Sequence, residues 1–451
     1  MNIIIAGGGK VGVTLARQLS AEGHDLTLID KNKAVLEEVV DQYDVMAVQG
    51  NCASMAVLRQ AGAKDADLLI AATNADEVNL LCCMTAHGLN ANLHTIARIR
   101  NPEYAEQIYK MRDSFGLSLT VNPEKQAARE IERLLKYPGF LKRDSFANGR
   151  AEIVELRVDE KSKLCNISLS EMYGIVKCRV LVCTVLRSGS AVAPRGNFVL
   201  REGDRIFVTA PTTNLTILLK NLGILTRKVR RCLLCGGDRI SYYLAQLLEK
   251  DGIDVQIIEQ DEHRCRELAT MLPKTGVVLG ECSRAQLENE GVSDCDAVVT
   301  LTGVDEINMI TSLYAASRGV PQVITKLGHF ENSQLADSIS LGSMICPKEL
   351  CSNTIVRYVR AMQNQDGAAV SVHSIADGQA EAVEFLIDES TRHCGQPLKE
   401  MKLKPNVLIV SITRGADTRI PNGDSVFQAG DTVVVVTSGG SVLRQFNDIF
   451  A

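Results

Sequence analysis

The hydrophobic positions in the first 121 residues fall into short apolar runs separated by amphipathic stretches. The amphipathic stretches predict helices that start near Val11, Lys33, Cys52, Asp76 and Pro102. The runs rich in Val, Ile and Leu predict strands at 2–6, 25–29, 45–48, 67–71, 93–98 and 117–121. Strands that are apolar throughout and alternate with helices are typical of a parallel sheet covered on both faces. The pattern therefore predicts a Rossmann-like, doubly wound α/β lobe.

The periodicity changes after this first lobe. Pro123–Lys136 predicts a helix with proline at its first position, which ends before Pro138 and Gly139. Between about residues 150 and 225, shorter apolar runs are separated by turn signals, with a short helix near Ser170. We predict that this segment forms a small α+β lobe.

The whole arrangement occurs twice along the chain. Residues 3–30 match 232–259, residues 72–79 match 301–308, and residues 154–169 match 383–398. Each match is displaced by the same 229 positions, as residue 30 corresponds to 259 and residue 79 to 308. One constant offset over three separate matches indicates a tandem duplication of whole domains rather than a solenoid.

The duplication divides the chain into two copies of three segments each. Copy one comprises an N-lobe, a connecting helix and a C-lobe, at 1–122, 123–140 and 141–228. Copy two repeats them at 229–347, 348–365 and 366–451, with its helix over Lys348–Gln363. The predicted fold class is α/β, with two tandem copies of a Rossmann-like doubly wound parallel-sheet N-lobe plus a small α+β C-lobe.

Composition excludes several classes of protein. Hydrophobic residues make up 45% and charged residues 23% of the chain, as in folded soluble proteins. The net charge of −5 argues against nucleic acid as a partner. No apolar run reaches the 18 or so residues of a membrane span, and we see no secretory signal. The 14 cysteines are therefore predicted to be reduced cytosolic thiols.

The first glycine loop carries the main functional signal. Gly7, Gly9 and Gly12 fit the pattern G-x-G-x-x-G between a strand and a helix, and Asp30 ends the next strand. The glycines allow a tight turn, a close approach of the backbone to a pyrophosphate, and close packing of helix and strand. Free N–H groups at the helix start would hold phosphates, so Gly8, Lys10 and Val11 join the predicted site. Asp30 suits a ribose diol and would repel a 2′-phosphate, which favours NAD(H) or an adenine nucleotide over NADP(H).

Residues that follow later strands could complete this site. Asn51 and Cys52 follow the third strand, and Thr73 and Asn74 follow the fourth. Ligands in such folds lie beyond the carboxyl ends of the strands, so these four residues could line the adenine side. Ordinary turn chemistry would explain them equally well. Arg98 ends the fifth strand and could clamp a phosphate or form a surface ion pair.

The second glycine loop departs from the pattern. It keeps Gly236, whereas Asp238 and Ser241 replace the other two glycines. An aspartate would repel a pyrophosphate, so copy two could bind a nucleotide weakly, differently or not at all. The residues predicted to form the second site are Gly236, Gly237, Asp238, Arg239, Glu259 at the ribose-acid position, Thr302, and Lys326 at the Arg98 position.

Metal and catalytic motifs give no comparable signal. Cys232 and Cys235 form a C-x-x-C, but they lie in a predicted buried strand whose alternation places them on opposite faces. No second ligand pair completes a zinc set, and the seven histidines form no H-E-x-x-H or triad pattern. We therefore predict neither a metal site nor catalytic residues. The acids in the two D-E-x-N sequences at 76–79 and 305–308 suit helix starts.

Several of these motifs together resemble a known family. GGGKVG, Asp30, QGNC at 49–52, ATNADEVN and ARIRNPEY are similar to the N-lobe of regulator-of-K⁺-conductance (RCK) domains. The β-rich modules, with REGD at 201–204 and QAGD at 428–431, are similar to the C-lobe of the same domains. Two such domains in one chain without a membrane span resemble the peripheral subunits of bacterial Trk potassium uptake systems. The resemblance covers nearly the whole chain.

The resemblance implies a function. RCK-type N-lobes bind NAD(H) or ATP/ADP and assemble into a cytosolic ring beneath a membrane-embedded potassium-translocating subunit, here of the TrkH/TrkG type. It implies a homo-oligomer, a dimer or tetramer, that lies peripherally on the inner face of the cell membrane. The helices at 123–140 and 348–365 correspond to crossover helices, which join the lobes and mediate pairing. A nucleotide would change the ring's shape only through different affinities for two shapes.

Two other functions compete with this interpretation. An NAD-dependent dehydrogenase would need a substrate domain with a general acid or base, and modules of about 75 residues offer no convincing pair. A redox-sensing transcription factor would need a helix-turn-helix or a basic arm, whereas other folds occupy both ends of the chain. We therefore predict a protein that is not an enzyme.

Overall fold

The computed structural model describes residues 1–136, 140–224, 228–328, 341–362, 369–438, 443 and 445–451. The predictions at Pro138, Gly139 and Gln363 lie outside the described residues. None of the described helices has both the length and the apolar character that crossing a membrane requires.

The N-lobe of copy one is a parallel sheet with helices on both faces. Its strands are β1 (Asn2–Ala6), β2 (Asp25–Asp30), β3 (Met46–Gln49), β4 (Leu68–Ala71), β5 (His94–Arg98) and β6 (Leu119–Val121). The helices are α1 (Lys10–Ala21), α2 (Lys33–Gln42), α3 (Met55–Gln60), α4 (Asp76–Leu89), α5 (Pro102–Met111) and the connecting helix α6 (Pro123–Lys136). The strand order is β3-β2-β1-β4-β5-β6, so the order reverses between β1 and β4. In doubly wound folds the ligand crevice lies at this reversal.

The C-lobe of copy one is an antiparallel sheet with two helices. Its elements are β7 (Lys142–Phe146), β8 (Ala151–Arg157), α7 (Leu169–Val176), β9 (Leu181–Arg187), β10 (Ser190–Val192), β11 (Arg205–Pro211) and α8 (Thr212–Leu222). The strand order is β10-β9-β11-β8-β7. The sheet and the helices enclose an apolar core around Val154, Val185 and Val208.

Copy two repeats both lobes. The N-lobe contains β12 (Arg231–Cys235), α9 (Arg239–Lys250), β13 (Asp254–Glu259), α10 (Glu262–Met271), β14 (Gly276–Leu279), α11 (Arg284–Asn289), β15 (Ala297–Thr300), α12 (Asp305–Ser317), β16 (Gln322–Lys326), β17 (Ser343–Ile345) and the connecting helix α13 (Pro347–Met362). The C-lobe contains β18 (Ala369–Ile375), β19 (Ala380–Leu386), β20 (Val407–Arg414), β21 (Asp417–Arg419) and β22 (Thr432–Ser438). The strand orders are β14-β13-β12-β15-β16-β17 and β18-β19-β22-β20-β21.

The predicted fold class is confirmed, and the connecting helix predicted at Pro123–Lys136 has those bounds. Helix α3 begins at Met55, after Ser54, rather than near Cys52, where the sequence predicts its start. The pattern also misses β7 and α8. The helix of copy two begins one residue earlier than predicted, at Pro347. The domain bounds themselves stay a prediction.

The two connecting helices are exchanged between the copies. Apolar residues of α6, among them Ile131 and Leu135, join the core of the copy-two N-lobe with residues of α9. Ile355 and Val359 of α13 join the core of the copy-one N-lobe with residues of α1. Burial of an apolar helix face is the main source of its stability, so each N-lobe depends on the other copy's helix.

The two C-lobe sheets also share a core. Phe146, Ile153 and Phe207 of copy one pack with Val434 and Val436 of copy two. Next to this core His373 Nδ1 lies 2.9 Å from Asp144 Oδ1. The two copies are therefore paired within one chain at both the N-lobes and the C-lobes.

Candidate functional site

The first glycine loop lies at the reversal of the strand order. Gly7 has φ +107°, and a Cβ there would lie 2.9 Å from Thr73 N. A Cβ on Gly12 would lie 1.9 Å from the carbonyl oxygen of Gly7, so a larger residue there would require the backbone to shift. Among the described residues other than its chain neighbours, no atom lies within 4 Å of a Cβ built on Gly9, so the loop is open at its tip. The glycines thus have the turn, approach and packing geometry that the sequence predicts.

The first turn of α1 has no side-chain cap. Gly9 is the N-cap residue with extended backbone, and, having no side chain, it makes no capping hydrogen bond to the first turn. Lys10 is exposed, whereas the Val11 side chain is buried in the lobe core, so only its backbone can serve a ligand. Uncapped N–H groups at a helix start favour an anion.

Asp30 connects the loop to the end of β2. Its Oδ2 accepts a hydrogen bond from Gly8 N at 2.6 Å, and its Oδ1 accepts one from Asn32 N at 2.8 Å. A Cβ on Gly8 would lie 2.6 Å from Val35 Cγ1 and 3.2 Å from Asp30 Oδ2, so this contact also requires glycine. Asp30 therefore supports the loop directly, in addition to any role toward a ribose.

A buried asparagine organises the loop after β4. Asn79 is fully buried, and its Oδ1 accepts hydrogen bonds from Thr73 N at 2.8 Å and Thr73 Oγ1 at 2.7 Å. Its Nδ2 donates to the carbonyl of Arg98 at 2.8 Å. Asn308 makes the equivalent bonds to Thr302 and Lys326 in copy two. Sequence reasoning missed both asparagines as positioning residues, although the repeated D-E-x-N was the signal for them.

Arg98 reaches across the carboxyl edge of the sheet. The residue is 8% exposed, and its Nη2 donates to Thr73 O at 2.8 Å and to Asn74 Oδ1 at 3.3 Å. Burial and the neighbouring Arg100 lower the pKa of Arg98. Its Nε is buried without a hydrogen-bond partner among the described residues. The structure thus brings Arg98, Thr73 and Asn74 together.

The loop after β3 contributes less. Asn51 is exposed, and its Oδ1 accepts a hydrogen bond from Ala53 N at 3.2 Å. Cys52 is 5% exposed and packs in the lobe core. A hydrogen bond with the Cys82 thiol of α4 lowers the pKa of Cys52. The Cys52 thiol therefore contacts α4, and it also lies near the predicted site.

The second glycine loop has the same backbone conformation at its first glycine, but a different residue stands at its tip. Gly236 also has φ +107°, with Thr302 N 2.9 Å from the position of a Cβ. The Oδ1 of Asp238 accepts hydrogen bonds from Ile240 N at 2.8 Å and Ser241 N at 3.1 Å. The start of α9 is therefore capped by a side chain within the chain, unlike the start of α1.

The other residues predicted in copy two keep their places. Glu259 accepts hydrogen bonds from Gly237 N at 2.6 Å and Asp261 N at 2.8 Å, as Asp30 does in copy one. Lys326 Nζ, in contrast to Arg98, lies 2.6 Å from Asp238 Oδ2 and donates to Leu301 O at 2.8 Å. Among the described residues, the cation at the end of the fifth strand thus lies within ion-pair distance of a carboxylate in copy two but not in copy one.

Both glycine loops lie at the seam between the copies. Lys10 Nζ lies 3.6 Å from the position that a Cβ on Gly328 of copy two would take. A cleft of about 370 Å³ at the second loop is lined by residues of both copies: Arg100, Glu124, Asp238, Arg239 and Arg264. A group bound at either loop therefore lies next to the other copy.

A larger cavity of about 650 Å³ lies away from the loops, between the connecting helices and the C-lobes. It is lined by many charged side chains, several of which pair with one another. Arg205 pairs with Glu155, and His373 pairs with Asp144. The cavity lies between elements of both copies, so a change in the packing of the helices would alter it.

The C-x-x-C sequence is part of the strand interior. Cys232 packs in the core on one face of β12, and Cys235 packs in the core on the other face. Both residues are fully buried. The prediction that they lie on opposite faces is confirmed, and this arrangement prevents joint chelation of a metal.

Family models match both kinds of lobe. The TrkA-N domain matches residues 3–123 and 232–347, and the TrkA-C domain matches residues 153–223 and 382–451. Together the four segments cover well over half of the chain. The chain belongs to the TrkA family. The duplication and the RCK resemblance inferred from the sequence are thereby confirmed.

Curated TrkA relatives are similar over the whole chain. The Trk system potassium uptake protein TrkA homolog of Archaeoglobus fulgidus is 32% identical over 451 residues, which is 100% of both chains. The Trk system potassium uptake protein TrkA of Haemophilus influenzae is 30% identical over 459 residues, covering 100% of this chain and 98% of that relative.

Solved structures share the tandem TrkA fold. The GsuK RCK domain has a TM-score of 0.63 at 16% identity, covering 97% of this chain and 92% of that chain. The GsuK channel bound to NAD has a TM-score of 0.61 at 18% identity, covering 97% of this chain and 77% of that chain. At these identities the likenesses show the fold alone.

Proposed function

We propose that this chain is a regulatory subunit of a potassium uptake system and that copy one binds NAD(H). ATP and ADP are the other nucleotides that the site suits. The relatives are named potassium uptake proteins, and one similar structure is a channel bound to NAD. Arg98, Thr73 and Asn74 would lie beside the bound nucleotide, and Asp30 would face its ribose.

The observation that carries the proposal is the open start of α1. The tip of the loop has free space at Gly9, and the first turn has no side-chain cap. Arg98 adds a buried cation at the same edge of the sheet. Uncapped N–H groups, glycine backbone and a guanidinium together suit a pyrophosphate.

The proposed mechanism uses linkage between the nucleotide and the shape of the protein. The loops lie at the seam between the copies, and the connecting helices cross that seam. A nucleotide that binds two seam geometries with different affinity shifts the equilibrium between them. We propose that homo-oligomers form a ring on the inner face of the membrane and pass this shift to a potassium-translocating partner.

The proposed role is not enzymatic. The groups around the first loop bind backbone atoms or would bind phosphate. Thr73 is already hydrogen-bonded to Asn79 and Arg98. The alternative dehydrogenase would oxidise or reduce the nicotinamide. The binding experiment therefore includes an assay for NADH consumption.

The test is calorimetric titration of the full chain with NADH, NAD⁺, NADPH, ATP and ADP. Asp30→Asn should weaken NADH binding by about 1.5–3 kcal/mol, because a hydrogen bond to a charged group is lost. Glu259→Gln is the matched control, since Glu259 makes the same two loop contacts in copy two. This control should leave the affinity of the copy-one site unchanged.

Three results would contradict the proposal. Absence of NADH, ATP and ADP binding would leave copy one without a ligand. Equal losses of affinity in Asp30→Asn and Glu259→Gln would place the ribose elsewhere or make both effects structural. Steady consumption of NADH would favour the dehydrogenase.

A further inference from the structure

We propose that Asp238 occupies, from within the chain, the phosphate position of the second glycine loop. The chain would then bind one nucleotide, in copy one, and Asp238 would be the residue that prevents a second. The inference rests on the proposed function in one respect: it takes the first loop as the example of an open nucleotide site.

The hydrogen bonds of Asp238 are those a phosphate would make. Its Oδ1 accepts from Ile240 N at 2.8 Å and from Ser241 N at 3.1 Å, at the start of α9. Phosphates in this fold use the same N–H groups of the first helical turn. The equivalent turn in copy one is uncapped, so the difference comes from the residue at position 238 rather than from the fold.

A lysine holds the carboxylate in place. Lys326 Nζ lies 2.6 Å from Asp238 Oδ2 and also donates to Leu301 O at 2.8 Å. The ammonium is thereby fixed by two partners at the carboxyl edge of the sheet. A phosphate that entered would have to displace the carboxylate and break this ion pair, at the cost of leaving a charge without its partner.

Ser241 adds a second obstacle. Its Oγ donates to Gly236 O at 2.5 Å, whereas a Cβ at the matching Gly12 would lie only 1.9 Å from Gly7 O. Ser241 therefore places a hydroxyl between the helix start and the loop, where copy one has no side chain. Glycine at both 238 and 241 reproduces the first loop, whereas removal of the Asp238 carboxylate alone already frees the N–H groups of Ile240 and Ser241.

The surroundings of the second loop are otherwise favourable to an anion. The cleft there is lined by Arg100, Arg239 and Arg264, with Glu124 and Asp238 as the acidic residues. Removal of Asp238 would leave the three guanidinium groups and Lys326 near the loop. The local charge would then attract a nucleotide phosphate rather than repel it.

The experiment counts binding sites in the full chain by calorimetry, with NADH and ADP as separate probes. The wild type should bind one nucleotide per chain, and Asp238→Gly/Ser241→Gly should bind two. Asp238→Asn should still bind one, because the amide oxygen can accept the same N–H bonds. Gly9→Asp should bind none, and Gly9→Asp combined with the two glycine substitutions should bind one.

Circular dichroism and thermal unfolding would verify that each variant is folded, and Asp238→Ala provides a milder variant if the double glycine fails to fold. Two sites in the wild type would overturn the inference. So would a folded Asp238→Ala or double-glycine variant that gains no site. No site in the wild type but one in the double-glycine variant would refute nucleotide binding by copy one and still support the role of Asp238.

Discussion

At the scale of single residues, the two C-lobes use the same ion pair between a buried aspartate and a more exposed arginine. Arg187 donates two hydrogen bonds of 2.7 Å to Asp204, and Arg414 donates bonds of 2.8 and 2.7 Å to Asp431. The two aspartates end the REGD sequence at 201–204 and the QAGD sequence at 428–431. Each aspartate also accepts a backbone N–H, from Arg201 or Gln428, and so fixes its turn.

We predict that the ion pair at Asp431 no longer stabilises the folded state at acidic pH. Burial acts to raise the pKa of Asp431, but hydrogen bonds from Arg414 and Gln428 outweigh it, and the pKa is lowered. The stabilisation is therefore present above the unfolded pKa of about 3.9 and is lost as pH falls through the folded value. Asp431→Asn should cost about 2 kcal/mol at pH 7.

Urea unfolding of Asp431→Asn and wild type at pH 7 and pH 3 measures this difference. Asp424→Asn serves as control, because Asp424 forms an exposed pair with Lys399 at 2.7 Å and should cost less than about 0.5 kcal/mol. A gap between wild type and Asp431→Asn that is as large at pH 3 as at pH 7 would contradict an electrostatic origin.

At the scale of elements, the connecting helix α6 was predictable to the residue, but its surroundings were not. Pro123 at the first position and the apolar positions of its inner face mark the helix in the sequence. Glu130 lies on this helix with a side chain that is 14% exposed, 3.6 Å from Arg133. Glu130 lines the large cavity together with strand β7 and with residues of copy two, so its burial depends on elements outside its own helix.

We predict that Glu130 makes the protein less stable as pH rises. Burial raises the pKa of Glu130 to about 7, with Arg133 opposing and Asp144 adding to the shift. Because the pKa of Glu130 is raised, its full contribution to stability is present below pH 4.5 and is lost as the pH rises through about 7. Glu130→Gln should therefore match the wild type at pH 4.5 and exceed it at pH 8, by roughly 3 kcal/mol.

Denaturant unfolding of both proteins across that pH range would check the prediction. Glu132→Gln is the control on the same helix, because Glu132 pairs with Lys136 and its substitution removes an ion pair, so it should give no gain in stability at pH 8. A wild type that remains as stable as Glu130→Gln at pH 8 would show that the buried carboxylate carries no cost.

Strand β7 shows why some elements escaped prediction. Its sequence, Lys142–Phe146, is largely polar, and nothing in its own pattern indicates a strand. It pairs with β8, and its charged residues have partners on other strands: Arg143 pairs with Glu152 of β8, and Asp144 pairs with His373 of β18. Burial of charge depends on such partners, which local periodicity does not contain.

At the scale of the whole molecule, the exchange of connecting helices makes each N-lobe dependent on the other copy. Ile131 of α6 is fully buried in the copy-two core, and Ile355 of α13 is fully buried in the copy-one core. Arg360 of α13 pairs with Glu22 of copy one, with atoms 2.5 Å apart. A shift of either N-lobe therefore bears directly on the helix that leads into the opposite C-lobe.

We predict that the two isoleucines act on opposite copies. Ile131→Ala should cost about 2–5 kcal/mol through the cavity it leaves. Hydrogen exchange should then quicken at α9 of copy two, while α1 keeps its protection. Ile355→Ala is the reciprocal control and should quicken exchange at α1 instead. The reverse assignment would mean that the helices pack on their own copies in solution.

The sequence by itself determined the two N-lobe folds, the duplication and the first glycine loop. These features depend on local rules: apolar strands alternating with helices, and glycine where a Cβ would strike the backbone, as at Gly12. The same rules identified Asp238 as a departure from the pattern, but only as a source of repulsion.

Only the tertiary structure decided which N-lobe each connecting helix covers and what Asp238 does. An apolar helix face is attracted to any apolar surface of suitable shape, so the pattern of α6 is compatible with either N-lobe. A carboxylate beside a glycine loop is unfavourable until a helix start and Lys326 surround it, and then it serves as the cap. Both outcomes depend on groups that lie far apart in the chain and meet only in the folded protein.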